Sequence, residues 1–206
     1  MAANEATAPG DPRDRLHRRQ NLFGAARDAF GVRAPSFDVV ALSHAVAAAQ
    51  GWEVHGVRFY SGVPSANDNA RLHRAWSSQL REMRAQGVHV TVRPLRHRRK
   101  RACLDDGTTA TFTVLEEKGI DVRIALDIMR AVIDRACDAV VLFSQDQDFV
   151  EVAVEVRAIA QAQQRWLKIA SAFPVGEGAL NRRGVDRTDW LPIDRTTYEA
   201  CLRRRG

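Results

Sequence analysis

The stretch from Ala139 to Phe149 constrains this chain more than any other. An unbroken apolar run, Ala-Val-Val-Leu-Phe, ends in Ser-Gln-Asp-Gln-Asp-Phe, and a helical pattern begins directly after it. A run without polar alternation suits a strand buried on both faces of a parallel sheet. Open α/β sheets carry their chemistry at the carboxyl ends of such strands, and Asp146 and Asp148 fall at that end. Two readings of the pair stand side by side. Paired carboxylates suit a hard, oxygen-seeking cation such as Mg²⁺ or Mn²⁺; acids are equally at home capping the first turn of a helix.

The rest of the chain supplies layers for such a strand. Leu22, Phe23, Ala26 and Phe30 fit a short amphipathic helix stopped by Gly31. Ser36 or Asp38 caps a second helix, with Val39, Leu42, Val46 and Ala49 on one face up to Gly51. Trp52 to Tyr60 reads as a strand, Leu72 to Gln86 as a helix, and Val88 to Pro94, with its valines at alternate positions, as a strand. The basic run Arg96-His97-Arg98-Arg99-Lys100-Arg101 reads as a solvated loop, and Asp105 to Thr113 as a loop or hairpin. Helices are expected from Lys118 to about Ala136 and from Phe149 to about Gln163, a strand from Leu167 to Phe173, then a short edge strand and a terminal helix. Strands alternating with helices predict an α/β three-layer sandwich with a mostly parallel central sheet.

Residues 1–20, rich in charge, Pro and Gly and nearly free of large apolar side chains, are expected to form a disordered basic arm, leaving 21–206 as one domain. The 206 residues carry a net charge of +6 and a pI near 9.9, which favours an anionic partner. The excess is uneven, with bases in the arm and at 93–101 and acids gathered near 116–151. Three cysteines, far apart and without C-x-x-C spacing, argue against a disulfide framework and a zinc site. No apolar run is long enough to span a bilayer and no leader pattern opens the chain, so a cytoplasmic protein is expected. The six histidines show no ligand spacing, and Trp76, Trp166 and Trp190 suit packing better than base stacking.

A third acid joins the pair. On the helix that begins at Lys118-Gly119-Ile120-Asp121, the apolar face is Ala125, Ile128, Met129, Val132 and Ala136; Asp121 is expected on that inward face and Asp127 on the opposite one, with Arg123, Arg130 and Asp134. An acid heading a core-facing stripe is costly to desolvate without a partner. A metal shared with Asp146 and Asp148 is one partner; an N-cap role or a bridge to Lys118 is another.

Lys118-Gly119-Ile120-Asp121, Asp127 six residues on, and the strand ending Ser144-Gln145-Asp146-Gln147-Asp148-Phe149 resemble the NYN domains of the PIN-like nuclease superfamily, whose K-G-x-D helix start precedes a strand ending in S-G-D-x-D-F. Asn21-Leu22, Tyr60-Ser61-Gly62, Ala172-Phe173-Pro174 and Arg183-Gly184 extend the likeness over about residues 20–200. The resemblance implies a metal-dependent ribonuclease. Asp121, Asp146 and Asp148 would hold Mg²⁺ or Mn²⁺, Asp127 would be a further acid of the motif, and Asn21, Lys118 and Ser144 would be motif positions. The basic run offers Arg96, Arg98, Arg99 and Lys100 as contacts for RNA phosphates. Two departures stand out. Gln145 occupies the usual Gly position, and Leu16-His17-Arg18-Arg19-Gln20 stands where the family places an apolar strand ending in a metal-binding Asp. Loss of that first acid would impair cleavage; the alternative is a non-catalytic RNA-binding or protein-interaction domain of the same fold.

Overall fold

A computed structural model of the protein describes residues 22–32, 36–103 and 108–203, so the arm and Asn21 lie outside the described residues. Its elements follow the expected order, except that the strand expected over 52–60 is displaced to Arg58–Val63 and the basic run expected as a loop is a strand. Helix α1 is Leu22–Phe30, α2 Val39–Ala48, strand β1 Arg58–Val63, α3 Ala66–Ala85, β2 His89–Pro94, β3 Arg96–Cys103, β4 Thr109–Glu116, α4 Ile120–Ile133 and β5 Ala139–Leu142. A 3₁₀ turn, Gln147–Phe149, leads into α5, Val150–Ala162; β6 is Lys168–Pro174, β7 Asp189–Ile193 and α6 Arg195–Ala200.

Local chemistry sets the boundaries. Asp38 caps α2 by accepting the amides of Val40 and Ala41 at 2.8 and 3.1 Å, a contact of about 1 kcal/mol. Ser65 and Asp68 form a reciprocal capping box that starts α3 at Ala66, earlier than the apolar periodicity implies. The helix breaks at Asn69, whose side chain caps the amide of Leu72 at 2.9 Å, and the regular stripe runs from there.

Among the described residues the strands form three sheets. β1 and β2 pair in parallel, β5, β6 and β7 form a second parallel sheet in that order, and β3 and β4 make an antiparallel hairpin. The described fold is therefore mixed α/β, with small and partly antiparallel sheets. Among the described residues β1 has no strand partner besides β2, and β5 none besides β6.

β6 separates two apolar clusters. Ala170 and Ala172 join Ala26, Phe30, Phe37, Leu42, Leu80, Met83 and Tyr198 on one side. Ile169 joins Ile128, Val132, Leu142, Phe149, Val152 and Val156 on the other. Burial on both faces explains the apolar composition of that strand. Truncating a side chain as enclosed as Met83, at 0% exposure, costs about 2–5 kcal/mol.

Candidate active site

The loop that follows β5 alternates two jobs. The Ser144 hydroxyl accepts the Asp146 amide at 3.1 Å, and Asp146 Oδ1 accepts the Asp148 amide at 3.0 Å, so Asp146 does cap the 3₁₀ turn. Phe149 then buries itself in the second cluster and pins the turn's far end. The glutamines on either side of Asp146 bind a second loop. Gln145, buried, donates its amide to the carbonyls of Asn181 and Arg183 at 3.0 and 2.9 Å. Gln147 donates to the Gly184 carbonyl at 3.0 Å and accepts the Asp186 amide at 3.1 Å. Gly184 lies so close to β6 and β7 that a Cβ would stand 2.2 Å from Ser171 Oγ and 2.7 Å from the Trp190 ring. Both acids thus sit on a loop fixed at four points, Asp146 half-buried and Asp148 exposed, and neither is in an ion pair among the described residues.

Across from this loop, α4 starts at Gly119, whose φ of 77° is a left-handed conformation that glycine tolerates, with the Arg93 guanidinium 3.0 Å from where a Cβ would be. The two acids of α4 are placed opposite to expectation. Asp121 lies exposed in the first turn, and Asp127 is buried at 5% exposure. Ile128 and Val132 face the core as the periodicity implies, but Ile120 and Asp127, two turns apart, extend the buried arc toward β1, leaving Val122, Leu126 and Ile133 outside. Burial of an acid requires partners, and three side chains supply them. Asp127 Oδ2 accepts the Tyr60 hydroxyl at 2.9 Å and Arg123 Nε at 3.0 Å, Oδ1 meets Arg123 Nη2 at 2.7 Å, and Arg58 lies 3.9 Å away.

Burial opposes ionisation of Asp127, yet the bonds from Tyr60 and Arg123 and the charges of Arg123 and Arg58 outweigh it and hold the carboxyl below its usual range. Burial first, and then the facing Asp127, push Tyr60 up to about 12. A helical projection that weighs only apolar residues misses this arrangement, because Tyr60 and Arg58 come from a different element; the signal present in the sequence is Arg123 four residues before Asp127.

Among the described residues no three His, Cys, Asp or Glu side chains meet as a metal-binding group, so Asp121 is not gathered with Asp146 and Asp148 into a cage. The pair nevertheless suits one kind of cation. Mg²⁺ keeps several waters and is usually held by one or two carboxylates together with substrate phosphates, a mode for which two open, adjacent carboxylates suffice.

The basic run is an ordered strand and not a loop. Arg98 and Lys100 both bind Glu116, Arg98 at 3.2 Å, while Arg96 and Arg99 are exposed. Lys100, and then Arg98, hold the Glu116 carboxyl below its usual range. Lys118 is exposed just ahead of Gly119. Cys137 and Cys201 are free thiols, and no described helix is long and apolar enough to cross a membrane.

Asp146 and Asp148 thus stand at the carboxyl end of a parallel strand, the place where open α/β sheets carry their sites, on a loop tied to residues 181–186. More particularly, the chain belongs to the NYN domain family, whose profile matches residues 20–162. That family generally comprises PIN-like nucleases. No curated protein matches the chain significantly. Among solved structures, a crystal structure of a protein of unknown function from Vibrio parahaemolyticus is similar, at 25% identity over 85% of this chain and 88% of that one, with a TM-score of 0.47.

Proposed function

We propose that the protein is a metal-dependent ribonuclease that works at Asp146 and Asp148. The observation that carries this reading is the pair of open carboxylates at the end of β5, fixed by Gln145 and Gln147, in a family of nucleases. Asp146 and Asp148 would hold Mg²⁺ or Mn²⁺, with Asp121 as a further acid at the head of α4. Such a cation, when bound, lowers the pKa of a water and offsets the charge that develops on the phosphodiester. The glutamine bonds fix where the two acids stand, and in our reading Asp127 ties α4 to β1 and is no ligand. The net charge of +6 draws the polyanion in.

The test is cleavage of labelled single-stranded and hairpin RNA with Mg²⁺ or Mn²⁺, with and without chelator. Asp146→Asn and Asp148→Asn are expected to lower the rate by about 100-fold or more. Equal cleavage by the parent and both variants would remove the proposal. A second reading, RNA binding without cleavage, is favoured by the separation of Asp121 from the pair and by the full engagement of Asp127. It predicts salt-sensitive RNA binding, no metal-dependent products, and unchanged binding in Asp146→Asn.

A further inference from the structure

The β3–β4 hairpin has two faces of opposite character. Strand alternation and register put Arg96, Arg98 and Lys100 on one face, across from Glu116, Val114 and Phe112. That face is the engaged one: Val114 is buried, Lys100 and Phe112 are half-buried, and Glu116 takes up the charges of Lys100 and of Arg98, which like Arg96 is itself exposed. On the other face His97, Arg99 and Arg101 stand across from Leu115, Thr113 and Thr111, with Thr109 further along. His97, at the base, is bonded to Asp68 of α3 at 2.7 Å. Beyond it Arg99, Arg101, Thr109, Thr111 and Thr113 are all exposed, and neither arginine is in an ion pair among the described residues.

We infer that this outward face, Arg99 and Arg101 framed by Thr109, Thr111 and Thr113, is the surface that grips the RNA phosphate backbone outside the cleavage site. Arg98 and Lys100 have a structural task. The inference rests on the reading that the protein acts on RNA. Three properties of the face support it. Two guanidiniums two residues apart along a strand are separated by about 7 Å, so they reach successive phosphates of one chain. Threonine hydroxyls donate to phosphate oxygens alongside arginine, a mix usual in backbone contacts that position a nucleic acid without reading its sequence. Arginine suits the task further because its planar fork can donate two parallel bonds to one phosphate. The carboxylates described beside the face are Asp68, which His97 occupies, and Glu117 at its base, which accepts the Gly62 amide.

The sorting of cations by face gives a sharp test. Arg99→Gln/Arg101→Gln and Arg98→Gln/Lys100→Gln each remove two charges, so a difference between them reports contact and not net charge. Binding of fluorescein-labelled oligouridylate to the full chain is followed by anisotropy over a range of salt, with chelator present to prevent cleavage. The outward pair is expected to weaken binding about tenfold or more at low salt. It should also reduce the slope of log K against log salt by about 1.4, from two contacts at about 0.7 each. The inward pair is expected to stay within about threefold of the parent with the slope unchanged. Thr111→Asp/Thr113→Asp, which leaves the Glu116 cluster intact, is expected to weaken binding as the outward pair does. Circular dichroism confirms that each variant is folded. If the parent binds RNA and the outward pair and the threonine variant both bind as tightly as it does, the hairpin assignment is overturned while the ribonuclease reading survives. If the parent neither binds nor cleaves RNA, both fall.

Discussion

Asp127 and Asp148 are aspartates of one sequence motif, and the molecule treats them oppositely. Asp127 is enclosed between α4 and β1 and bonded to Tyr60 and to Arg123 through two nitrogens, with the Arg58 charge 3.9 Å away. Asp148 is exposed and offers both carboxylate oxygens, because the glutamines on either side of Asp146 make the loop's tertiary bonds in its place. The difference lies in what each neighbourhood provides. β1 brings a phenol and a guanidinium to α4, which makes a buried acid favourable, whereas the loop after β5 has its polar needs met by backbone carbonyls. An acid with three donors stabilises a fold; an acid without any is available for chemistry.

The comparison is broken or sharpened most strongly by removing each acid in turn. Asp127→Ala is expected to cost about 2–3 kcal/mol of unfolding free energy, since a buried charge network loses its centre, while Asp148→Ala stays within about 0.5 kcal/mol. Urea denaturation measures both. If Asp127→Asn, assayed where it is folded, lost RNA cleavage as fully as Asp146→Asn, the division of labour would be wrong. Gln145→Ala comes next, at about 2 kcal/mol, because it removes a buried amide and both of its bonds to the 181–183 backbone. It should also slow RNA cleavage at least about tenfold by loosening the acids. Tyr60→Phe removes one bond to Asp127 and is expected to cost about 1 kcal/mol.

The smallest effect is a pH dependence. The carboxyl of Asp127 is held below its unfolded value of about 3.9. Its contribution is therefore complete above that value and is lost as pH falls through the lower folded one. Urea midpoints taken from pH 6 downward should show a steeper acid limb in the parent than in Asp127→Asn. Parallel limbs would mean that the network contributes nothing through its charge.

The hairpin teaches the same lesson at a different scale. Arg96 to Arg101 is arginine or lysine at every position but His97, and the sequence offers no sign of which cations are engaged. Only the register, which sets Glu116 beside Arg98 and Lys100 and sets threonines beside Arg99 and Arg101, separates them. The sequence offers Arg96, Arg98, Arg99 and Lys100 alike and gives no reason to add Arg101, because a run without hydrophobic alternation shows no period from which to assign faces. Gln145 was legible as a departure from the family's glycine. Its two bonds to Asn181 and Arg183 were not, since those partners lie more than thirty residues away.

What the sequence by itself determined is the order and type of the elements and the identity of the motif. Apolar period, capping residues such as Asp38 and Ser65, and the abrupt end of the β5 run are local signals, and local physics turns them into helices, strands and a loop bearing two acids. The tertiary structure decided which aspartate is buried, how the strands divide among three sheets, and which face of the hairpin is free. Each of those outcomes depends on a partner distant in the chain, Tyr60 for Asp127, Glu116 for Arg98, the 181–186 loop for Gln145. The energy of a buried polar group is set by that partner and by no property of the residue alone.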